Sequence, residues 1–160
     1  MKKFFVSTCL IKMCASDYRG CQLIIHHHLI IYLVFLMSNR TAPGAVSIHG
    51  SDPQFLIEKI VRERIYGCAY WKEKCFGLTA ESILDRALEL DHAGGCYGAQ
   101  QRPTEFLCLL LKLLQLQPSE EIILTYIAAE EYKYLRLLGA VYYRFVFGSV
   151  KVYGCLEPLL

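Results

Sequence analysis

The chain has 160 residues, 54% of them hydrophobic and 20% charged, enough for one apolar core and too apolar for a disordered segment or a charged tail. Residues 1–37 carry Lys2, Lys3, Lys12 and Arg19 against Asp17 alone, a net of +3, while the rest holds 13 basic and 14 acidic side chains, a net of −1. A body so close to neutral lacks the footprint of a protein that grips nucleic acid through many phosphates.

The first 37 residues read as an atypical hydrophobic extension. The apolar run Leu23–Met37 is interrupted by His26, His27 and His28 and falls short of the roughly 20 residues of a membrane span, so no membrane partner is expected. Phe35, Leu36 and Met37 lack the small residues of a signal-peptide cleavage site. Adjacent histidines diverge on a helix or strand, which argues against a metal tract. Met37-Ser38-Asn39-Arg40 opens like a soluble N-terminus, and translated upstream sequence or a mispredicted exon is the expectation for what precedes it.

Residues 38–51, with Pro43, Gly44 and Gly50, predict an extended arm. The body, residues 52–160, starts at Asp52-Pro53, an N-cap carboxylate followed by proline, which predicts a helix to about Tyr66. Leu56, Ile57, Ile60, Val61 and Ile65 form its apolar face, and Glu58–Arg62 and Lys59–Glu63 pair on the other. A short helical turn spans Ala69 to Phe76. Thr79 caps the next helix, with Ala80, Ile83, Leu84, Ala87 and Leu88 facing inward. Residues 93–102 predict a loop.

Pro103 opens a helix in which, from Phe106 to Leu116, only Lys112 and Gln115 are polar; such a helix has to be surrounded by others. Pro118 stops it and Ser119 starts another through about Ala129. A tyrosine-rich helix covers residues 131–147, and Val150 to Leu156 forms the last. No segment longer than four residues alternates with a period of two, which predicts no sheet. The fold class is all-α, an irregular bundle of about six or seven helices.

Landmarks along residues 39–158 resemble the N-terminal domain of the pre-mRNA-splicing factor 38 family: Ser47-Ile48-His49-Gly50, Tyr70-Trp71-Lys72-Glu73, Cys75-Phe76-Gly77-Leu78-Thr79, Gly94-Gly95 with Tyr97-Gly98, Phe106-Leu107-Cys108-Leu109 and Leu156-Glu157-Pro158-Leu159. The resemblance implies a non-enzymatic nuclear scaffold of the U4/U6·U5 tri-snRNP and the precatalytic spliceosome, acting in mRNA splicing by protein–protein docking. Its implied partners are a microfibrillar-associated splicing protein and a zinc-finger splicing protein. Family members continue past Glu-Pro-Leu, so the resemblance also implies a C-terminally incomplete domain with apolar surface exposed around Tyr142 and Tyr153. The rival readings are a direct RNA-binding helical domain and a non-functional truncated paralogue.

No catalytic residue, cofactor or metal is assigned. Ser47 and His49 sit two apart on an extended arm without an orienting partner. The eight cysteines include no Cys-x-x-Cys, and Cys68, Cys75, Cys96 and Cys108 lie in or beside apolar helical patterns, which predicts buried, reduced thiols. The residues Gly94, Gly95 and Gly98 predict a turn needing positive φ rather than a phosphate cradle. Tyr126, Tyr132, Tyr134, Tyr142, Tyr143 and Tyr153 read as core with hydroxyls at the rim, since no basic stripe interleaves them for RNA stacking. Tyr70 and Trp71 read equally as anchors of a partner groove or as core. The candidate partner contacts are Tyr66, Tyr70, Trp71, Gly94, Gly95, Tyr97 and Gly98.

Overall fold

The computed structural model describes residues 39–159, so the extension, its histidines and the start at Met37 lie outside the described residues. Seven α-helices follow in chain order among these: α1 (Lys59–Gly67), α2 (Ala69–Glu73), α3 (Ser82–Leu88), α4 (Glu105–Leu116), α5 (Glu120–Ala128), α6 (Lys133–Val146) and α7 (Ser149–Leu156). Short 3-10 turns lie at Pro53–Leu56 and Glu157–Leu159. The all-α irregular bundle is as the sequence predicts. The absence of a sheet is not: β1 (Cys96–Tyr97) pairs antiparallel with β2 (Arg102–Pro103), Cys96 opposite Pro103 and Tyr97 opposite Arg102. Two-residue strands are too short to leave an alternating pattern, and the turn between them sets their pairing.

The core forms around α4. Phe106 and every residue from Cys108 to Gln115 are buried, so this helix is enclosed on all sides as its composition requires. Its cap is Thr104, whose Oγ1 accepts the Leu107 N–H at 3.3 Å. Pro103 therefore sits in β2 and not in the first helical turn, a correction to the predicted start. At the other end Gln117 is left-handed (φ 46°), and its N–H bonds Leu113 O at 2.9 Å just before Pro118. The Gln117 amide then grips the arm, donating to Val46 O at 2.8 Å and accepting from Val46 N at 2.7 Å. Ala42 N adds a bond to Gln115 O at 2.9 Å.

The helix predicted from Pro53 to Tyr66 is two pieces. Asp52 accepts from Gln54 N at 3.1 Å and starts the 3-10 turn, but Ile57 and Glu58 are extended before α1 begins. Arg62 Nε donates to the freed Ile57 carbonyl at 3.0 Å and its guanidinium lies over the Phe55 ring, so the expected Glu58–Arg62 pair is not formed. The break shifts the helical phase: Ile57 and Ile65 are buried, whereas Ile60 is 55% exposed. Lys59 and Glu63 do approach to 4.0 Å, both in solvent, where such a pair adds little stability.

Thr79, just ahead of α3, bonds its first residue reciprocally, Oγ1 accepting from Ser82 N while Ser82 Oγ accepts from Thr79 N. Ile83 and Ala87 point into the core; Leu88, roughly 100° further round the helix, stays exposed. The most extensive helix pair is α5 on α6, and α6 also packs on α3 and α4. Gly139 of α6 lies against Tyr126 and Ile127 of α5. Leu135, Leu138, Tyr142 and Tyr143 are buried, as is Tyr126. Tyr142 itself belongs to the core, continuing the Leu135–Leu138 stripe inward, while Leu137 and Phe145 on α6 and Val150 on α7 leave apolar surface exposed around it, as expected. Tyr153, on α7, is 69% exposed.

Candidate functional site

The chain turns sharply between α1 and α2, and the turn is built by side chains. Cys68 is the N-cap of α2, its sulfur accepting the Trp71 N–H at 3.4 Å. That cap points Trp71 into the core, where it is 1% exposed, its ring tilted against Tyr66 at 5.4 Å and its Nε1–H donating to Asn39 Oδ1 at 2.9 Å. Lys112 lies over the Trp71 ring, and desolvation by burial holds its pKa below the usual lysine range. Tyr66 is half-buried and donates to Gln54 Oε1 at 3.0 Å; burial raises its pKa. Trp71 is therefore a core residue, and between the two readings left open by the sequence the structure places it inside. Tyr70, one residue earlier, is half-buried with one edge outward, its phenol pushed above the usual range chiefly by desolvation.

Opposite this turn stands the hairpin. Thr104 fixes it: its backbone N–H bonds Gly95 O at 3.0 Å, and its hydroxyl lies 2.7 Å from Gly94 O, the acceptor it serves, and 3.1 Å from Gly95 O. Among the three predicted glycines only Gly98 has the positive φ, 71°, that a side chain disfavours. Gly94 instead packs beside Thr104, and a Cβ there would meet its methyl at ordinary contact, 3.7 Å. Beyond β1 the ring of Tyr97 is 56% exposed.

Between the two walls lies an open cleft of about 540 Å³. Arg64, Cys68 and Tyr70 line one side; Tyr97, Arg102 and Glu105 line the other, with His92 at the rim. The structure thus brings together Tyr70 and Tyr97, places Tyr66 and Trp71 behind the cleft wall, and uses Gly94, Gly95 and Gly98 to shape the hairpin. Arg64, His92, Arg102 and Glu105 were not among the candidate contacts read from the sequence, and no local pattern joins them. His92 Nδ1 pairs with Asp91 Oδ1 and Cys68 pairs with Trp71 N and Cys108. The cleft offers aromatic faces, two guanidinium groups and one carboxylate, a lining suited to holding an extended polypeptide. Among the described residues no three His, Cys, Asp or Glu side chains converge as a metal ion would need, and no helix is long and apolar enough to cross a membrane.

Residues 46–160 match the model of the PRP38 family. The chain belongs to that family. Over 123 residues this PRP38-family chain is 56% identical to pre-mRNA-splicing factor 38A of Danio rerio and 55% identical to pre-mRNA-splicing factor 38 of Arabidopsis thaliana. Each alignment covers 77% of the chain but only 39% and 35% of those relatives, so the chain spans well under half their length. The human pre-mRNA-splicing factor 38A is 54% identical over the same span. Among solved structures, the crystal structure of the Snu23–Prp38–MFAP1(217-258) complex of Chaetomium thermophilum contains a chain that superposes with a TM-score of 0.68 at 43% identity, covering 72% of this chain and 61% of that one. The PRP38 fold is therefore carried by sequence and by shape over the same helical body.

Proposed function

We propose that this chain is a protein-docking scaffold of the pre-mRNA splicing machinery, working in the nucleus without catalysis. Its partners are the counterparts of Snu23 and MFAP1, within the tri-snRNP and the precatalytic spliceosome. The observation that carries this reading is the 43% identity and 0.68 TM-score to a chain of a complex holding both proteins.

The cleft between the α1–α2 turn and the hairpin is the proposed contact, with Tyr70 and Tyr97 as anchors and Arg64 and Arg102 selecting acidic side chains. Aromatic and arginine residues dominate binding energies at such sites. Tyr66, Trp71 and the glycines Gly94, Gly95 and Gly98 support it from behind by fixing the two walls. Direct RNA binding gains no support from a body whose net charge is −1.

Calorimetric titration of the full chain with the MFAP1 segment, and separately with Snu23, tests the reading. Saturable binding to at least one is expected, weakened about tenfold or more by Tyr97→Ala, an exposed side chain whose loss leaves the fold intact. Absence of binding to both would overturn the scaffold. Tight RNA binding with a steep salt dependence would replace it with the RNA reading. Binding that Tyr97→Ala leaves unchanged would move the contact away from the cleft.

A further inference from the structure

Cys68 and Cys108 are 40 residues apart in the chain, yet their sulfurs lie 3.7 Å from each other. The pair is asymmetric. Cys68 is half-buried and lines the cleft, whereas Cys108 on α4 is fully buried behind it. Cys68 Sγ accepts the Trp71 N–H and shares a hydrogen bond with the Cys108 thiol. Cys108's hydrogen bond, then that of Trp71 with some help from Lys72, holds the Cys68 thiol well below the ordinary range against the opposing effect of burial. Cys108 is pushed upward, first by donating to Cys68 and then by burial. Cys75 has no hydrogen-bonding partner of this kind, is fully buried, and is pushed up to about 12 by desolvation. One accessible sulfur that carries negative charge easily, backed by one protonated sulfur within reach, is the arrangement that thiol oxidation needs.

We propose that Cys68 and Cys108 form a redox-sensitive pair that hydrogen peroxide converts into an intramolecular disulfide bridging α2 to α4. The Cys68 thiolate attacks one peroxide oxygen; the O–O bond breaks, and the departing hydroxide takes a solvent proton to become water. Cys68 is then a sulfenic acid. The Cys108 sulfur attacks the Cys68 sulfur, the S–O bond breaks, and the released hydroxide accepts the Cys108 proton as a second water. Two thiols have lost two electrons and two protons, and one peroxide has become two waters. Bond formation brings the sulfurs from 3.7 Å to about 2 Å. The chemistry is independent of what docks in the cleft, although the new bond would stiffen its wall.

The full reduced chain is treated with peroxide at neutral pH, quenched with N-ethylmaleimide, digested without reductant and mapped by mass spectrometry. The expected product is a Cys68–Cys108 linked peptide pair, two hydrogens lighter than the sum of its reduced halves and separated by dithiothreitol. Cys68→Ser abolishes that product and leaves Cys108 open to maleimide after unfolding, while Cys75→Ser leaves it unchanged. Cys68 over-oxidised to sulfinic acid beside an intact Cys108 thiol would overturn the proposal. So would a link from Cys68 to a different cysteine, or two free thiols at peroxide levels that oxidise Cys96 or Cys155. If Cys68→Ser fails to fold, the map of the unsubstituted chain decides alone.

Discussion

Two glycines on neighbouring helices should respond to the same substitution with opposite signs. Gly139, in the middle of α6, has no room: an added Cβ would lie 3.0 Å from Tyr126 Cβ, 3.2 Å from Ile127 Cγ1 and 3.4 Å from Ile123 O. Tyr126 Cβ and Ile123 O belong to the stiff part of α5 rather than to flexible side-chain ends, so accommodation means separating two helices. Alanine in place of glycine gains about 1 kcal/mol of helix propensity. Overpacking a tight interface costs ~1–3 kcal/mol. The net for Gly139→Ala is a loss of about 1 kcal/mol, and Gly139→Val, with two more methyl groups at the same contact, should lose roughly 3 kcal/mol. Gly154 in α7 has nothing within 4 Å of its ideal Cβ, so Gly154→Ala keeps only the favourable term, ~0.5–1 kcal/mol. Urea unfolding followed by far-ultraviolet circular dichroism reads both as shifts of midpoint at constant slope. In thermal melts each kcal/mol corresponds to about 4 °C for a chain of this size. Stabilisation of Gly139→Ala equal to that of Gly154→Ala would refute the close approach of α5 and α6.

Thr104→Ala removes both the cap of α4 and the hydroxyl that holds Gly94; a loss of about 1–2 kcal/mol in urea unfolding is expected, with Thr104→Ser recovering most of it. A change within experimental scatter would mean that water replaces the hydroxyl at both positions. Tyr142 and Tyr143 are pushed up to about 12 by burial, Tyr143 also by its bond to Glu120. Because the native state favours the protonated phenol, this stabilisation is intact below the unfolded tyrosine value near ~10 and is lost as pH rises through the folded one. Ultraviolet absorbance should therefore show late phenolate formation, arriving together with loss of helical signal. All tyrosines titrating near ~10 with the helices intact would contradict the burial.

Local punctuation made much of the fold legible. Asp52-Pro53, Thr79 and Pro118-Ser119 each mark a helix boundary through a named side chain or an impossible backbone hydrogen bond, and residues 106–116, polar only at Lys112 and Gln115, announced an enclosed helix. What stayed hidden depends on contacts distant in sequence. Arg62 reaching the Ile57 carbonyl splits a segment whose periodicity reads as continuous. Thr104 holding Gly94 and Gly95 creates a hairpin too short for a pattern to reveal. The same limit applies to the site. Tyr70 and Tyr97 were singled out separately, yet nothing local says that they line one cleft, and nothing at Trp71 says which way its ring turns. Cys68 and Cys108 look like ordinary small apolar residues until the fold puts their sulfurs side by side.

A rod gripped along its whole girth has no direction in which to slide. Because every residue of α4 from Cys108 to Gln115 is buried, that stretch cannot turn or slide unless the segments packed around it let go together. If partners dock on it as proposed, the ordering entropy of association falls on the partner that arrives unfolded.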